Sequence, residues 1–154
     1  MIRRPSWLLI AGLMAGCAPA TTSPVVLSTP VPVPVPAGVL NPAVAQATIG
    51  RTICVPRWTA KVRPPSSYTA TLKRRQIAAM HLPGTPADFE EDHAVPLALG
   101  GAPRDPANLR PVPIGQARAD DREETRLHVA VCAGRMSLAA AQRMILDWKA
   151  AHDR

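Results

Sequence analysis

The residues in this 154-residue chain whose types and spacing suit chemistry are an acid and a histidine that follow one another. Asp92 directly precedes His93, and Pro96, Gly100-Gly101 and Asn108 follow at short intervals. A histidine has an unperturbed pKa of about 6.5, so it can accept a proton at neutral pH and serve as a general base. Successive side chains of a strand face opposite ways, so both groups serve one site only at a bend or strand end, and Pro96 fits such an end. The alternative is a solvated acid beside a surface histidine.

The sequence around this pair predicts a small α+β domain with two short strands, one helix before them and two helices around or after them. The predicted elements are a helix at 69–80, extended segments at 89–99 and 109–112, and helices at 116–132 and 137–150. Ser137 is a favourable N-cap for the last helix. Leu138, Ala141, Ile145 and Trp148 recur on one face of it, which indicates core packing. Residues 51–65 are predicted to be extended and irregular.

The first 50 residues differ in composition from the rest of the chain. A basic start, a short apolar stretch and small residues are the pattern of a secretory signal, here residues 1–16. Leu13-Met14-Ala15-Gly16-Cys17 resembles a bacterial lipobox, which implies lipidation of Cys17 and an outer-membrane lipoprotein. Residues 17–50 contain no charged residue, and prolines alternate with valines from Pro30 to Pro36. This segment is predicted to be a flexible or polyproline II tether, which leaves the domain at 51–154.

The two remaining cysteines, Cys54 and Cys132, lie at opposite ends of the predicted domain. In an exported chain such a pair is expected to form a disulfide. The bridge would close a loop of about 79 residues and contribute about 4.5 kcal/mol in the chain-entropy model. Metal binding is the alternative, but two cysteines so far apart without a local partner are not typical of a zinc site.

The order Asp-His, Pro-Leu, Leu-Gly-Gly and Asn-Leu resembles the HNH nuclease family, whose ββα-metal fold packs two short strands and a glycine-containing loop on one helix. The resemblance extends to a secreted bacterial group of this family and covers about residues 51–149. The further residues that carry it are Thr52-Ile53-Cys54-Val55-Pro56, Arg63-Pro64-Pro65, Tyr68-Thr69, Leu72-Lys73, Val131-Cys132-Ala133-Gly134, Ala141-Gln142 and Asp147-Trp148.

The resemblance implies a role for each motif residue. Asp92 corresponds to the metal-binding acid, and His93 to the base that takes a proton from the water attacking a phosphodiester. Asn108 corresponds to the residue that braces the loop holding the histidine. One divalent cation, Mg²⁺ by preference with Mn²⁺, Ni²⁺ or Zn²⁺ as alternatives, would polarise the phosphate and stabilise the leaving oxygen.

The third family position departs from the pattern. Nine residues after Asn108 the family usually has His or Asn as a second metal ligand, and this chain has Ala117. Asp120 and Asp121 lie three and four residues further on, on the same side of the predicted helix. Either could supply an oxygen ligand to the ion, or Asp120 could be an ordinary solvated helix residue.

Basic residues are numerous, with a formal net charge of +7 for the whole chain, which fits a polyanionic partner. Arg63, Lys73, Arg110 and Arg118 are the candidates for phosphate contacts, with Lys73-Arg74-Arg75 also readable as a solvated helix face. The sequence thus predicts a lipid-anchored, metal-dependent HNH-type endonuclease, with DNA favoured over RNA. A nucleic-acid-binding domain without catalysis and a structural envelope lipoprotein are the alternatives, and the oligomeric state stays open.

Overall fold

The structure is a computed structural model, and it describes residues 37–152. The predicted signal, Cys17 and the proline-alternating run lie outside the described residues. In chain order the described residues form α1 (Trp58–Val62), α2 (Ser66–Ala79), β1 (Phe89–His93), β2 (Leu109–Pro113), α3 (Ile114–Cys132) and α4 (Leu138–His152). This arrangement confirms the predicted α+β fold class with two short strands.

β1 and β2 form a two-stranded antiparallel sheet, and α3 follows β2 directly. In the register, Asp92 lies opposite Arg110 and His93 lies opposite Leu109. Leu99 and Val95, in the connection between the strands, are buried with α3 and α4 residues in the main core. The connection is therefore part of the folded interior, and it holds the end of β1 in place.

The folded domain begins before the predicted boundary at residue 51. Leu40 forms an isolated bridge with Gly101, Val44 is 6% exposed within the core, and a 3₁₀ turn spans Gln46–Arg51. The side chain of Gln46 accepts a hydrogen bond from the backbone N–H of Leu138 at 2.7 Å. The boundary was wrong because an uncharged segment suggests a tether by composition alone, whereas Val44 packs into the core.

The structure also differs from the prediction of an extended, irregular stretch at 51–65, because this stretch contains α1. The helix predicted at 69–80 begins three residues earlier, at Ser66, directly after Pro64-Pro65. At the start of a helix the backbone N–H has no partner within the helix, so a proline, which lacks this group, is tolerated there. The two prolines therefore favour a helix start at this point.

The core lies between three elements: α3, α4 and the loop that follows β1. Leu138, Ala141 and Ile145 are buried in it, as the helical spacing predicted, while Trp148 packs at its edge. The Ser137 hydroxyl accepts a hydrogen bond from the N–H of Ala140 at 3.2 Å, which confirms the predicted N-cap. No helix among residues 37–152 is long and apolar enough to cross a membrane.

The disulfide predicted between Cys54 and Cys132 is present, with the two Cα atoms 5.5 Å apart. It joins the segment before α1 to the end of α3. The two ends of the predicted domain are therefore held together covalently.

Gly101 packs against the backbone so closely that it leaves no room for a side chain. A Cβ added there would overlap the carbonyl oxygen of Val95 and lie 2.7 Å from Nδ2 of Asn108. We expect Gly101→Ala to destabilise the domain by about 3 kcal/mol, the upper range for overpacking a rigid site. Denaturant unfolding monitored by circular dichroism measures the change.

Gly115→Ala is the matched control for this prediction, because nothing lies within 4 Å of a Cβ added at Gly115 in the first turn of α3. Alanine there should be neutral or stabilising by up to about 1 kcal/mol. Equal unfolding midpoints for the two variants would contradict the close approach at Gly101.

Candidate active site

Asn108 fixes the connection that follows His93. Its side chain is fully buried, and Oδ1 accepts hydrogen bonds from the N–H groups of Val95 at 2.9 Å and Val39 at 3.3 Å. Nδ2 donates to the carbonyls of Val95 at 3.0 Å and Ala102 at 3.1 Å. Asn108 therefore braces the loop beside the histidine, as the resemblance implied.

His93 lies at the end of β1, where its ring is held in one tautomer. The side chain is 5% exposed, and Nε2 lies 3.1 Å from the carbonyl oxygen of Pro103. A carbonyl only accepts hydrogen bonds, so Nε2 carries the proton and Nδ1 carries the lone pair. Burial lowers the pKa of His93, with the Pro103 carbonyl acting in the opposite direction. The lowered pKa favours the neutral imidazole, in which Nδ1 carries the lone pair that accepts a proton.

A cleft of about 610 Å³ opens beside His93, between β1 and the starts of α2 and α3. Three of the four residues predicted to contact phosphate line it: Arg63, Lys73 and Arg118. Lys73 Nζ also donates to the carbonyl of Phe89 at 2.6 Å, which anchors its side chain at the cleft wall. The structure thus brings three cationic side chains, His93 and the carboxyl groups of Glu90 and Glu91 to a single concave surface.

Arg110, the fourth predicted phosphate contact, is only 1% exposed. All but the last residue of β2 are buried, so both faces of this strand are covered. The prediction of a phosphate contact at Arg110 is therefore wrong, because the side chain is enclosed by the fold.

Asp92 contacts a lysine that sequence reasoning did not single out. Its Oδ2 lies 2.5 Å from Nζ of Lys149, and its Oδ1 accepts the backbone N–H of His93 at 2.8 Å. Lys149 is 1% exposed and also donates to the carbonyl of His93 at 2.6 Å. The lysine on α4 therefore holds both the acid and the backbone of the histidine.

A sequence signal for Lys149 existed. It lies four residues after Ile145 and eight after Ala141, on the apolar stripe of α4. A lysine on such a stripe is buried only when a carboxylate pairs with it, and Asp92 is the acid that does so here.

Asp120 is buried beside the same lysine. It is 2% exposed, so the interpretation as a solvated helix residue is wrong. Oδ1 accepts hydrogen bonds from Gln116 Nε2 at 2.9 Å and Trp148 Nε1 at 3.1 Å, and Oδ2 lies 4.0 Å from Lys149 Nζ. Burial raises the pKa of Asp120, while the Lys149 charge acts against this. Asp121, in contrast, is exposed on α3.

The predicted ligand set does not fit a divalent cation. The ammonium of Lys149 already lies between Asp92 and Asp120, where the predicted ion would share their oxygens. Two unit charges 4 Å apart repel by about 4 kcal/mol at an effective dielectric of about 20, and a divalent ion doubles this. Asp120 Oδ1 is already bonded to Gln116 and Trp148, and Asp92 Oδ1 to the backbone N–H of His93. The metal site predicted from Asp92 with Asp120 or Asp121 is thus at odds with the donor geometry.

Another group of side chains could hold a metal ion. Among the residues the structure describes, the potential ligand atoms of Cys54, His128 and Cys132 lie within 4.8 Å of one another. The two sulfur atoms are bonded to each other, however, and a disulfide sulfur is not a thiolate ligand. His128 Nε2 also lies 2.9 Å from the Ile53 carbonyl and donates a hydrogen bond to it. This nitrogen therefore carries a proton and has no lone pair for a metal ion.

Two glutamates near the site have strongly raised pKa values. Burial raises the pKa of Glu91 to about 7, and both of its carboxyl oxygens are buried without a hydrogen-bond partner among residues 37–152. Burial, together with the charge of Asp92, raises the pKa of Glu124 on α3 to about 7 as well. Glu91 also lines the cleft. Glu91 lies two residues before His93 and therefore on the same face of the strand. This spacing could have identified it as a residue of the site.

Comparison of the chain with protein-family models, with curated proteins and with solved structures finds no significant match. The interpretation of the site therefore depends on its geometry and on the motif resemblance.

Proposed function

We infer that the domain is an HNH-type nuclease that cleaves phosphodiester bonds of nucleic acid in the cleft beside His93. One observation carries this proposal: a buried histidine, with Nε2 on the Pro103 carbonyl, lines a cleft that also contains three cationic side chains and the carboxyl groups of Glu90 and Glu91. The strand–loop–strand–helix order of β1, β2 and α3 supports the same family.

In this proposal Arg63, Lys73 and Arg118 bind the phosphate backbone and neutralise its charge. Nδ1 of His93 then takes the proton of the attacking hydroxyl, a step that contributes about 10²–10⁴-fold to the rate in enzymes of this kind. Asn108 and Lys149 hold the histidine and its loop in place. The divalent ion that the resemblance implied has no step here, because the ammonium of Lys149 already contacts the predicted ligand Asp92.

Export and anchoring belong to the same proposal. The Cys54–Cys132 disulfide supports an exported protein, since disulfides persist in oxidising compartments. Lipidation of Cys17 would hold the nuclease at the outer membrane. A binding domain without catalysis is the second candidate, and the cationic cleft alone would favour it if the histidine were inactive.

The cationic cleft is tested by the salt dependence of binding. In the full chain carrying His93→Ala, we expect Arg63→Gln with Arg118→Gln to weaken binding to a fluorescent single-stranded oligonucleotide. Loss of two phosphate contacts should lower the slope of log K against log salt by about 1.4, at about 0.7 per contact. Fluorescence anisotropy across a salt series measures both quantities.

Arg135→Gln is the control for this experiment, because Arg135 is exposed between α3 and α4 and does not line the cleft. If the cleft double variant and the control had the same salt slope, nucleic acid would not bind in this cleft.

A further inference from the structure

We propose that the ammonium of Lys149 is the resident cation of this site, that the cleft works without a divalent metal ion, and that its substrate is RNA. This proposal rests on the proposed function and specifies its chemistry. It reverses the expectation, drawn from the motif alone, of a metal-dependent enzyme acting on DNA.

The contacts of Lys149 support its assignment as the resident cation. Its Nζ donates hydrogen bonds to Asp92 Oδ2 at 2.5 Å and to the His93 carbonyl at 2.6 Å, and it lies 4.0 Å from Asp120 Oδ2, an ion-pair distance without a hydrogen bond. Asp92 is the acid that would otherwise receive a metal ion, and Asp120 is the nearby helix acid. One fixed charge on α4 thus lies near both acids and holds the end of β1, so Lys149 is a positioning residue.

Lys149 is too buried to contact a phosphate, at 1% exposure. The charge of the scissile phosphate is instead met by Arg63, Lys73 and Arg118 in the cleft wall. These cations bind and neutralise the phosphate, but they do not generate a metal-bound hydroxide. Without a metal-bound hydroxide, the attacking group must already lie beside the phosphorus and lose its proton to a side chain of the cleft, such as His93 or Glu91.

RNA supplies such a group and DNA does not. The 2′-hydroxyl lies beside its own phosphorus, and well-oriented intramolecular groups reach effective molarities of about 10⁵–10⁸ M. His93 Nδ1 takes the proton of the 2′-oxygen as that oxygen bonds to phosphorus. The bond from phosphorus to the 5′-oxygen breaks, and the leaving oxygen takes a proton from solvent water. The proton on His93 returns to the hydroxide so formed, and the products end in a 2′,3′-cyclic phosphate and a 5′-hydroxyl.

Lys149→Met tests the cation assignment without reference to activity, because methionine keeps much of the side-chain length and removes the charge. We expect about 1 mM MnCl₂ to leave the melting temperature of the wild-type full chain unchanged. In Lys149→Met, Asp92 and Asp120 lose the ammonium that both contact, so the same Mn²⁺ should raise the melting temperature by about 4 °C or more. Adding Asp120→Asn to the variant should abolish the rise.

Lys61→Met, an exposed lysine on α1, is the control and should gain no response to Mn²⁺. A Mn²⁺-induced rise in the wild type that Asp92→Asn abolishes would overturn the proposal. If Lys149→Met fails to fold, titration of the wild type with Mn²⁺ followed by electron paramagnetic resonance decides. If Asp92→Asn does not change the binding of Mn²⁺, the assignment of Lys149 as the resident cation is supported. If Asp92→Asn removes Mn²⁺ binding, the assignment is refuted.

Cleavage assays separate this inference from the proposed function. The full chain is incubated with single-stranded RNA and DNA of the same sequence, each with EDTA and with Mg²⁺. We expect cleavage of RNA alone, unaffected by EDTA, and none at a position where the RNA carries a single 2′-deoxynucleotide. Cleavage that requires Mg²⁺, or cleavage of DNA in EDTA, overturns the inference and leaves the nuclease in place. No cleavage under any condition overturns both.

Discussion

Replacing His93 by alanine is expected to slow nucleic-acid cleavage by about 10²–10⁴-fold, the usual contribution of a general base. The physical reason is the tautomer: Nε2 donates to Pro103, so Nδ1 is the nitrogen that accepts the substrate proton. Binding should change little, since the phosphate contacts come from Arg63, Lys73 and Arg118. Single-turnover cleavage of a labelled oligonucleotide measures the rate separately from affinity.

The same experiment has a pH dependence with a defined sign. A general base acts in its neutral form, and burial lowers the pKa of His93 below its ordinary value of 6.5. The wild-type rate should therefore persist below pH 6.5 and decline only as pH falls through the lowered pKa. A midpoint above 6.5 would contradict the assignment of a buried, neutral base.

His81→Asn is the matched control for His93→Ala. His81 is exposed after α2 with a φ of 52°, in the left-handed region that asparagine tolerates. We expect this variant to cleave at the wild-type rate. Because His93 is buried, the unfolding midpoint of His93→Ala is measured alongside, and a rate loss matched by global unfolding would remove the support for a catalytic role.

Replacing both cysteines of the disulfide by serine is expected to lower the free energy of unfolding by about 4.5 kcal/mol, from the chain-entropy model for a closed loop of this length. Cys54 and Cys132 are 78 residues apart, so the bridge constrains most of the unfolded domain. Native proteins have net stabilities of about 5–15 kcal/mol, so a loss of this size is about a third or more of the total. Denaturant unfolding of the double variant and of the reduced wild type measures the loss.

The double variant leaves no unpaired thiol among residues 37–152, and agreement between it and the reduced wild type is the internal control. A variant whose unfolding midpoint equals that of the oxidised wild type would show that the bridge constrains little. Serine also keeps a small polar group beside His128, so the packing near its contact with Ile53 is retained.

Local patterns in the sequence predicted much of the fold. The stripe on α4, the Ser137 cap and the helical spacing of α3 depend on residues within one helix, and the structure has them in place. The disulfide followed from two cysteines in a domain that the sequence predicts to be exported. Asn108 was placed in its role by its position in the motif.

The features that the sequence did not reveal depend on contacts between distant elements. Lys149 meets Asp92 across 57 residues, and neither position shows which partner the other has. Arg110 was predicted to be a surface cation because the sequence of β2 does not show that other elements cover both of its faces. Val44 joined the core although its neighbours suggested a tether, because the core it completes is built from α3 and α4.

The most direct test of the central claim, that this chain cleaves nucleic acid through His93, is an in-gel assay. The wild-type full chain and His93→Ala are purified in parallel, separated on gels cast with RNA, and refolded in place under oxidising conditions with EDTA present. We predict a cleared band at the position of the wild-type chain, which moves with the chain when an added tag changes its mass, and no band for His93→Ala. Uncleared RNA at the wild-type position both in EDTA and after Mg²⁺ is added, or equal clearing by His93→Ala, would contradict the assignment of this domain as a nuclease that acts through His93.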